Sequence, residues 1–305
     1  AISELPTAYD YIRLGHPLSC LLEWVIAKIN NIKPKNVISF SSKTIPILAI
    51  LRKNLLANKS TQIMFTDELP KFIDFKVLKN IYGYKFDLKK VEKVEDISAF
   101  NGSTVFISQQ DEISNIPLKL GIDFFINFHS QFGSILLVNG AKNKHYVSDI
   151  QHVRRRETIA MTPVNCLANL NSIINKSNFE NNRSNYESNK NLVLESIADI
   201  TGTNTKAVVG SSGLSIQYAI MMGLIHYALE NHKGKAIRFI VPPNCYGGTN
   251  DQARRVAASI KNVEVLDLPV DGEHDMVDSI VLVLNKIASQ VEIPYIIAEI
   301  STNPR

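Results

Sequence analysis

Cysteine, charge of one sign and long apolar runs are all scarce in this sequence. The three cysteines, Cys20, Cys166 and Cys245, lie far apart without a CxxC pair, so neither a disulfide framework nor a zinc site is expected. The 33 basic and 29 acidic residues leave a net charge of only +4, which does not indicate a nucleic-acid partner. No apolar run reaches the roughly 18 residues of a membrane span. The N-terminus AISELPTAYDYIR also lacks the pattern of a signal peptide. We therefore expect a cytoplasmic protein with no membrane or metal site.

The remaining composition is that of a folded α/β protein. Of the 305 residues, 45% are hydrophobic and 20% are charged, which is ordinary for globular domains. Short apolar runs predict strands at 36–40, 62–65, 104–107, 123–128, 134–138, 207–209, 236–241, 263–266 and 295–299. Amphipathic stretches predict helices at 19–29, 44–54, 192–200, 214–229, 250–259 and 276–288. This alternation predicts a mainly parallel sheet with helices on both faces.

The two halves of the chain share a weak repeat. Ser41-Ser42 and Ser211-Ser212 are 170 residues apart, and an arginine stands 28 residues before each pair, at Arg13 and Arg183. An apolar helix is predicted after each serine pair. Between the halves, residues 171–191 are rich in asparagine and serine, which is typical of a linker, although biased composition in a surface loop explains it equally well.

Three motifs in the second half carry residue types suited to a ligand site. A strand runs into Ser212-Gly213-Leu214 before a helix, where free amides can hold a phosphate, although the same pattern also serves as a plain N-cap. The sequence CYGG places Tyr246 at a strand end, either to lie on a ring or to pack at a turn. The last strand ends in Glu299 and leads to Asn303, which can be site groups or turn formers.

In this order and spacing, the motifs resemble the Cys/Met-metabolism family of pyridoxal 5′-phosphate enzymes, a fold-type I family that includes cystathionine γ-synthase, cystathionine lyases and O-acylhomoserine sulfhydrylases. The resemblance covers about residues 192–305. It implies that Ser212, Gly213 and Leu214 hold the cofactor phosphate. It also implies that Tyr246 stacks on the pyridine ring and that Asn303 lies near the cofactor and the substrate carboxylate, with Glu299 at the edge of the site.

The first half resembles the same family in an eroded form. Tyr11 and Arg13 match a motif that, in the family, reaches across a dimer to the neighbour's phosphate. Residues 117–132 resemble the segment of the Schiff-base lysine, but Gln131 stands at the lysine's place and Lys43 replaces the phosphate-turn glycine. An amide cannot form that bond. The resemblance therefore implies a degenerate copy over 1–170, a linker over 171–191 and the N-terminal part of a cofactor-binding domain over 192–305.

The losses in the two copies are complementary. The second copy keeps Arg183 but has Asn181 where the first has Tyr11. We therefore expect a tandem pseudo-dimer in which Tyr11 and Arg13 complete one working site in the second copy. The family's Schiff-base lysine and its pyridinium-pairing aspartate are expected beyond Arg305, in a missing C-terminal piece or a partner chain.

The resemblance implies a transsulfuration-type enzyme that performs elimination or replacement on sulfur amino acids or O-acylhomoserine. It does not choose between synthase, lyase and sulfhydrylase. A homo-oligomer or the pseudo-dimer is expected. The alternative is a non-catalytic pseudoenzyme that regulates a pyridoxal phosphate enzyme. A dinucleotide-binding oxidoreductase is less consistent with the sequence, because no GxGxxG follows any predicted strand.

Several other residues are expected to have structural rather than ligand-binding roles. We expect His129 and His145 to be surface or packed groups rather than ligands. The run Arg154-Arg155-Arg156 is typical of a solvated helix face. Trp24 and Tyr218 are expected in the core.

Overall fold

The computed structural model describes residues 12–111, 116, 118, 121–175, 185–269, 272 and 275–298. The helices are α1 Pro17–Ile29, α2 Ile45–Leu56, α3 Phe75–Asn80, α4 Lys144–Glu157, α5 Pro163–Asn175, α6 Tyr186–Thr201, α7 Gly213–Asn231, α8 Gly247–Ser259 and α9 Met276–Ala288. The strands are β1 Val37–Phe40, β2 Thr61–Phe65, β3 Asp87–Lys90, β4 Ser103–Ser108, β5 Phe124–His129, β6 Gly133–Val138, β7 Ile237–Val241, β8 Val263–Asp267 and β9 Ile293–Ile296. No described helix combines the length and apolarity of a membrane span.

The strands form two sheets. The first has the order β1-β6-β5-β4-β2-β3, and only the β1–β6 and β5–β6 pairs are antiparallel. The second has the order β8-β7-β9 and is parallel throughout. Apolar side chains pack on both faces of the first sheet, against α2 and α4 on one side and against α1 and α5 on the other. The predicted α/β class with a mainly parallel sheet and helices on both faces is confirmed.

Three strands of the first sheet and the three strands of the second are arranged in the same way. In the first, β2 lies between β3 and β4, and all three are parallel. In the second, β7 lies between β8 and β9 with the same directions. The order of strands along the chain is also the same. The strands β7, β8 and β9 therefore have the same topology as β2, β3 and β4.

The two halves share one apolar core. The cluster on the α2 side includes Ile47 and Ile50 together with Tyr218, Met221 and other residues of α7. Burial of these apolar side chains is the main contribution that stabilises the packing of the two halves against each other. The expected linker 171–191 is helical at both ends, in α5 and α6, and residues 176–184 between them lie outside the described part of the chain.

The strand predicted at 207–209 is wrong. Residues 206–210 have no strand partner in the described chain, and Val208 and Val209 are 77% and 58% exposed. The corresponding strand of the first half, β1, has β6 as its partner. A strand needs a partner for its backbone groups, which an apolar run alone does not reveal.

The interpretation of Arg154 as a solvated residue is also wrong. Its side chain is fully buried in α4 and donates to Glu23 at 2.7 Å and to the carbonyl of Ser39 at 3.0 Å. Glu23 also accepts the amide and hydroxyl of Ser39, both at 2.8 Å. A buried guanidinium must be paired in this way, because its charge cannot be removed by deprotonation.

A second buried ion pair lies beside the first. Arg52 of α2 binds Glu157 of α4 and donates to the Tyr218 hydroxyl of α7 at 3.1 Å. Burial alone would lower the pKa of Arg52, but the Glu157 carboxylate outweighs it and the pKa is raised. Burial raises the pKa of Tyr218. The expected core position of Tyr218 is confirmed, whereas Trp24 is only half-buried.

Replacing Arg154 with methionine is expected to lower the free energy of unfolding by about 3–5 kcal/mol, because Glu23 would stay buried without its cation. The control is Arg254→Met, which removes a half-exposed pair with Asp267 and should cost no more than about 1 kcal/mol. Urea unfolding monitored by circular dichroism measures both. Equal losses in the two variants would contradict the assigned burial of Arg154.

Candidate functional site

The N-terminus of α7 presents free backbone amides. Ser212 caps the helix, since its side chain accepts the amide of Ser215 at 3.2 Å while the Ser215 hydroxyl accepts the amide of Ser212 at 2.8 Å. The amides of Gly213 and Leu214 have no partner within the helix, and they lie at its positive end. A Cβ added to Gly213 would meet no heavy atom of the described residues within 4 Å. The space beside this turn is therefore open to a ligand, and an anion suits it.

The turn that carries Tyr246 packs directly on the turn at the N-terminus of α7. β7 ends at Val241, and α8 begins at Gly247, immediately after Tyr246. A Cβ on Gly248 would collide with the Tyr246 ring and would come within 2.9 Å of the Leu214 side chain. Glycine at position 248 thus allows the two turns to approach each other closely.

The side chain of Arg13, from the first half of the chain, lies beside these two turns. Its Nη2 donates to the Tyr246 hydroxyl at 3.1 Å. The backbone around Arg13 is held by the residues at and after the end of α4, because its carbonyl accepts the amide of Ala160 at 3.2 Å and Arg154 donates to the carbonyl of Leu14. His16 also bonds the carbonyl of Met161 at 2.7 Å. The arginine is therefore carried by the first half and presented to the second.

These groups surround one cleft of about 460 Å³, within the usual range for small-ligand sites. Its lining residues are Arg13, Ser212, Gly213, Leu214, Gln217, Tyr246 and Thr249. The one charge among them is the Arg13 guanidinium, and no lysine lines the cleft in the described part of the chain. Five of the seven expected site residues thus lie together. Tyr11 and Asn303, with Glu299, lie outside the described residues.

Gln217 and Thr249 are cleft residues that the sequence analysis missed. The Thr249 hydroxyl donates to Gln217 Oε1 at 3.2 Å, and Gln217 Nε2 is buried with no hydrogen-bond partner in the described chain. A buried donor without a partner carries an energetic cost that a ligand can relieve. Helical spacing could have indicated Gln217, since it follows Gly213 by four residues and so shares its face of α7.

A buried amide joins α4 to both turns. Gln252 of α8 is fully buried, and its Nε2 donates to the carbonyl of Arg156 at 2.7 Å and to that of Leu214 at 2.8 Å. The neighbouring Asp251 accepts from Arg156 at 2.9 Å and lies 2.8 Å from His152. These contacts hold the α7 and α8 termini against the first half.

The matching turn of the first half is closed by its own side chains. Lys43, at the position of Gly213 after the 170-residue offset, donates to the carbonyl of Ser130 at 2.6 Å. Asp111 accepts the Ser130 amide at 2.8 Å and its hydroxyl at 2.9 Å. Burial would raise the pKa of Asp111, but these hydrogen bonds and the nearby cations lower it. Gln131 follows, and its Oε1 is buried without a partner among the described residues.

The two histidines occupy the structural positions expected of them. His129 is buried and stacks on Phe132 with a centroid separation of 4.1 Å, and burial lowers its pKa. His145 is exposed beside Tyr146. Within the described residues, no group of three His, Cys, Asp or Glu side chains is placed to hold a metal ion.

Comparison with known proteins gives remote structural similarity. No family model matches the chain, and no curated protein matches it. MetB from Corynebacterium glutamicum is 14% identical with a TM-score of 0.38, and the match covers 57% of this chain and 56% of that one. Cystathionine γ-lyase from yeast is 15% identical with a TM-score of 0.39, covering 52% and 51%. A putative L-allo-threonine aldolase from Listeria monocytogenes is 15% identical with a TM-score of 0.34, covering 75% and 91%. The chain thus spans about half the length of the first two structures.

Replacing Gln252 with leucine is expected to lower the free energy of unfolding by about 1–3 kcal/mol, because two buried carbonyls lose their donor. The control is Gln290→Leu, at an exposed position beyond α9, which should change stability by no more than about 0.5 kcal/mol. Urea unfolding compares the two. A Gln252→Leu variant as stable as the wild type would show that the amide does not join the halves.

Proposed function

We propose that this chain belongs to a pyridoxal 5′-phosphate enzyme of the transsulfuration type and supplies its cofactor-binding cleft. The observation that carries the proposal is the convergence of Arg13 from the first half with Ser212, Gly213, Leu214 and Tyr246 from the second. These are the residues that the motif resemblance assigns to the cofactor.

The cleft fits the phosphate end of the cofactor. The Gly213 and Leu214 amides and the Arg13 guanidinium offer hydrogen bonds and positive potential to a dianion, and no carboxylate of the described residues lines the cleft. The open space beside Gly213 admits the phosphate, since no side chain in the described part of the chain fills it. The Tyr246 ring, 39% exposed, offers an aromatic face to the pyridine ring.

When bound, pyridoxal phosphate supplies an electron sink that stabilises negative charge on the carbon beside the substrate amine. The residues of this chain bind and orient it. Arg13 and the α7 amides fix the phosphate, Tyr246 fixes the ring plane, and Gln217 offers a donor from the cleft wall. The proposed substrates are sulfur amino acids or O-acylhomoserine, which undergo elimination or replacement at Cβ or Cγ. The lysine and the aspartate of the reaction come from residues outside these 305.

The proposed pseudo-dimer explains why one cleft is open and its counterpart is closed. The first half donates Arg13 to the second, whereas its own turn is occupied by the Lys43–Ser130 contact. One working site for two copies follows. In this arrangement the first copy acts as a built-in partner rather than as a second catalyst.

Replacing Arg13 with alanine is expected to weaken binding of pyridoxal 5′-phosphate by roughly 10- to 150-fold, the equivalent of losing a charge-assisted bond of about 1.5–3 kcal/mol. Binding of pyridoxal, which lacks the phosphate, should stay unchanged. Equilibrium binding to the natively purified protein measures both ligands. Arg254→Ala serves as the control, since its side chain binds Asp267 away from the cleft. Equal loss of both ligands in Arg13→Ala would contradict the phosphate contact.

The function itself is tested by labelling and turnover. The natively purified protein is incubated with pyridoxal phosphate and reduced with borohydride, and its peptides are mapped by mass spectrometry. We expect one pyridoxyl-lysine outside residues 1–305, together with release of a 2-oxo acid from L-cystathionine or O-succinylhomoserine. An intact mass of 34.1 kDa with no labelled lysine would contradict the enzyme and favour the regulatory pseudoenzyme.

A further inference from the structure

A second cavity, of about 320 Å³, lies in the first half of the chain. It adjoins the amino ends of β2 and β3, because its lining includes Thr61 and Asp87, the first residues of these two parallel strands. The cleft described above is lined by different residues and adjoins the carboxyl end of β7. The volume of the second cavity is sufficient for a small metabolite. The two cavities are therefore separate candidate sites.

One wall of this cavity is the turn that follows α3. The amide of Ile81 donates to the carbonyl of Val77 at 2.9 Å, and the amide of Tyr84 donates to that of Leu78 at 3.0 Å. Gly83 has a φ of +74°, which favours glycine, and a Cβ there would meet no heavy atom of the described residues within 4 Å. Backbone hydrogen bonds therefore hold the turn in place, and the space beside it stays open.

A second wall of the cavity is the start of β2. Thr61 is buried, and its hydroxyl accepts a hydrogen bond from the Asn54 side-chain amide at 2.8 Å. The carbonyl of Ser60 accepts the amide of Ser103, the first residue of β4, at 2.9 Å. The side chain of Ser60 is itself exposed. Both walls are thus fixed by the fold, so a ligand would meet a preformed space.

The lining of this cavity is polar. Tyr84 and Phe86 belong to it, but they are only 2% and 5% exposed and pack in the apolar core. Their rings therefore offer little surface to a ligand. The other lining side chains carry hydroxyl groups or charges. A ligand with an apolar side chain would gain little here, whereas a small polar ligand would find hydrogen-bonding partners.

Three charged side chains line this cavity, those of Lys79, Lys85 and Asp87. Lys85 and Asp87 are both exposed, on either side of the buried Phe86. The Nζ atom of Lys79 lies 6.0 Å from the centroid of the Phe86 ring. None of the three charges has an ion-pair partner within the described part of the chain. Two cations and one anion are therefore available to a ligand in one small space.

We propose that this cavity binds a free acidic amino acid, aspartate or glutamate. The two carboxylates of such a ligand match Lys79 and Lys85, and its single ammonium group matches Asp87. A phosphate or a simple dicarboxylate would bring no cation to Asp87 and would be repelled by it. A neutral amino acid would leave one of the two lysines without a partner. The charge pattern of the lining thus favours the acidic amino acids over these other classes.

Isothermal titration calorimetry of the natively purified protein tests the proposal with L-aspartate and L-glutamate. Low ionic strength is used, because salt screens exposed ion pairs. Each acid is compared with its amide, L-asparagine or L-glutamine, and with the dicarboxylate that lacks the amine, succinate or glutarate. We expect saturable binding of at least one acid, with its amide and its dicarboxylate each at least about 5-fold weaker, since each lacks one charge.

Substitutions of the lining residues test which charge each group recognises. Lys79→Met and Lys85→Met should each weaken the amino acid and its dicarboxylate alike by at least about 5-fold. Asp87→Asn should weaken only the amino acid, so that the dicarboxylate then binds at least as well. The control is Lys89→Met, which removes the same charge from an exposed residue of β3 that does not line the cavity. It should leave all the affinities as in the wild type.

Three outcomes would overturn the proposal. The first is the absence of saturable binding of either acid. The second is equal binding of an acid and its dicarboxylate to the wild type, which would indicate a general anion site. The third is loss of binding in Arg13→Ala, which would place the ligand in the cleft. Failure of the proposed function is separate, because the two cavities share no residue and the amino acid can bind to a protein that does not bind pyridoxal 5′-phosphate.

Discussion

Two buried guanidinium groups, Arg154 on α4 and Arg52 on the adjacent α2, form the ion pairs on which the rest of the structure depends. An arginine keeps its charge in the interior, so Arg154 and Arg52 are tolerable only with a carboxylate beside each. Glu23 pairs with the first and ties α4 to α1 and β1. Glu157 pairs with the second, and Tyr218 extends that pair into the second half. The position of α7 against α4 is therefore constrained by charge pairing as well as by apolar packing.

The geometry of the cleft depends on these buried ion pairs. Arg13 lies on a segment whose carbonyls are bound by Arg154 and by the residues that follow α4, so the buried pair also fixes where Arg13 points. The opposite wall is held by Gln252, which donates to carbonyls on α4 and α7. The helix ends that line the cleft are fixed in this way, so a ligand that bound there would lose little binding energy in ordering loops.

The features that could be predicted from the sequence are those that depend on residues close together in the chain. All strands of the two sheets except β3 follow from apolar runs. Ser212, Gly213 and Tyr246 follow from turn and cap patterns that act within a few residues. Arg154 could not be predicted, because its partner Glu23 is 131 residues away in the chain, and a run of three arginines looks solvated until that partner is known. Residues 207–209 have the composition of a strand but depend on a distant partner. The short strand β3 was missed because all four of its residues are exposed.

The contrast between the two serine turns depends on one position. Lys43 and Gly213 occupy equivalent sites, 170 residues apart. The lysine side chain crosses to the carbonyl of Ser130 and joins the turn to the β5–β6 connection, whereas the glycine leaves empty space at a helix N-terminus. A buried or half-buried ammonium that satisfies a carbonyl stabilises a fold, and an open pair of amides stabilises an anion. The same backbone arrangement is therefore closed by a side chain in one half of the chain and open at a helix N-terminus in the other.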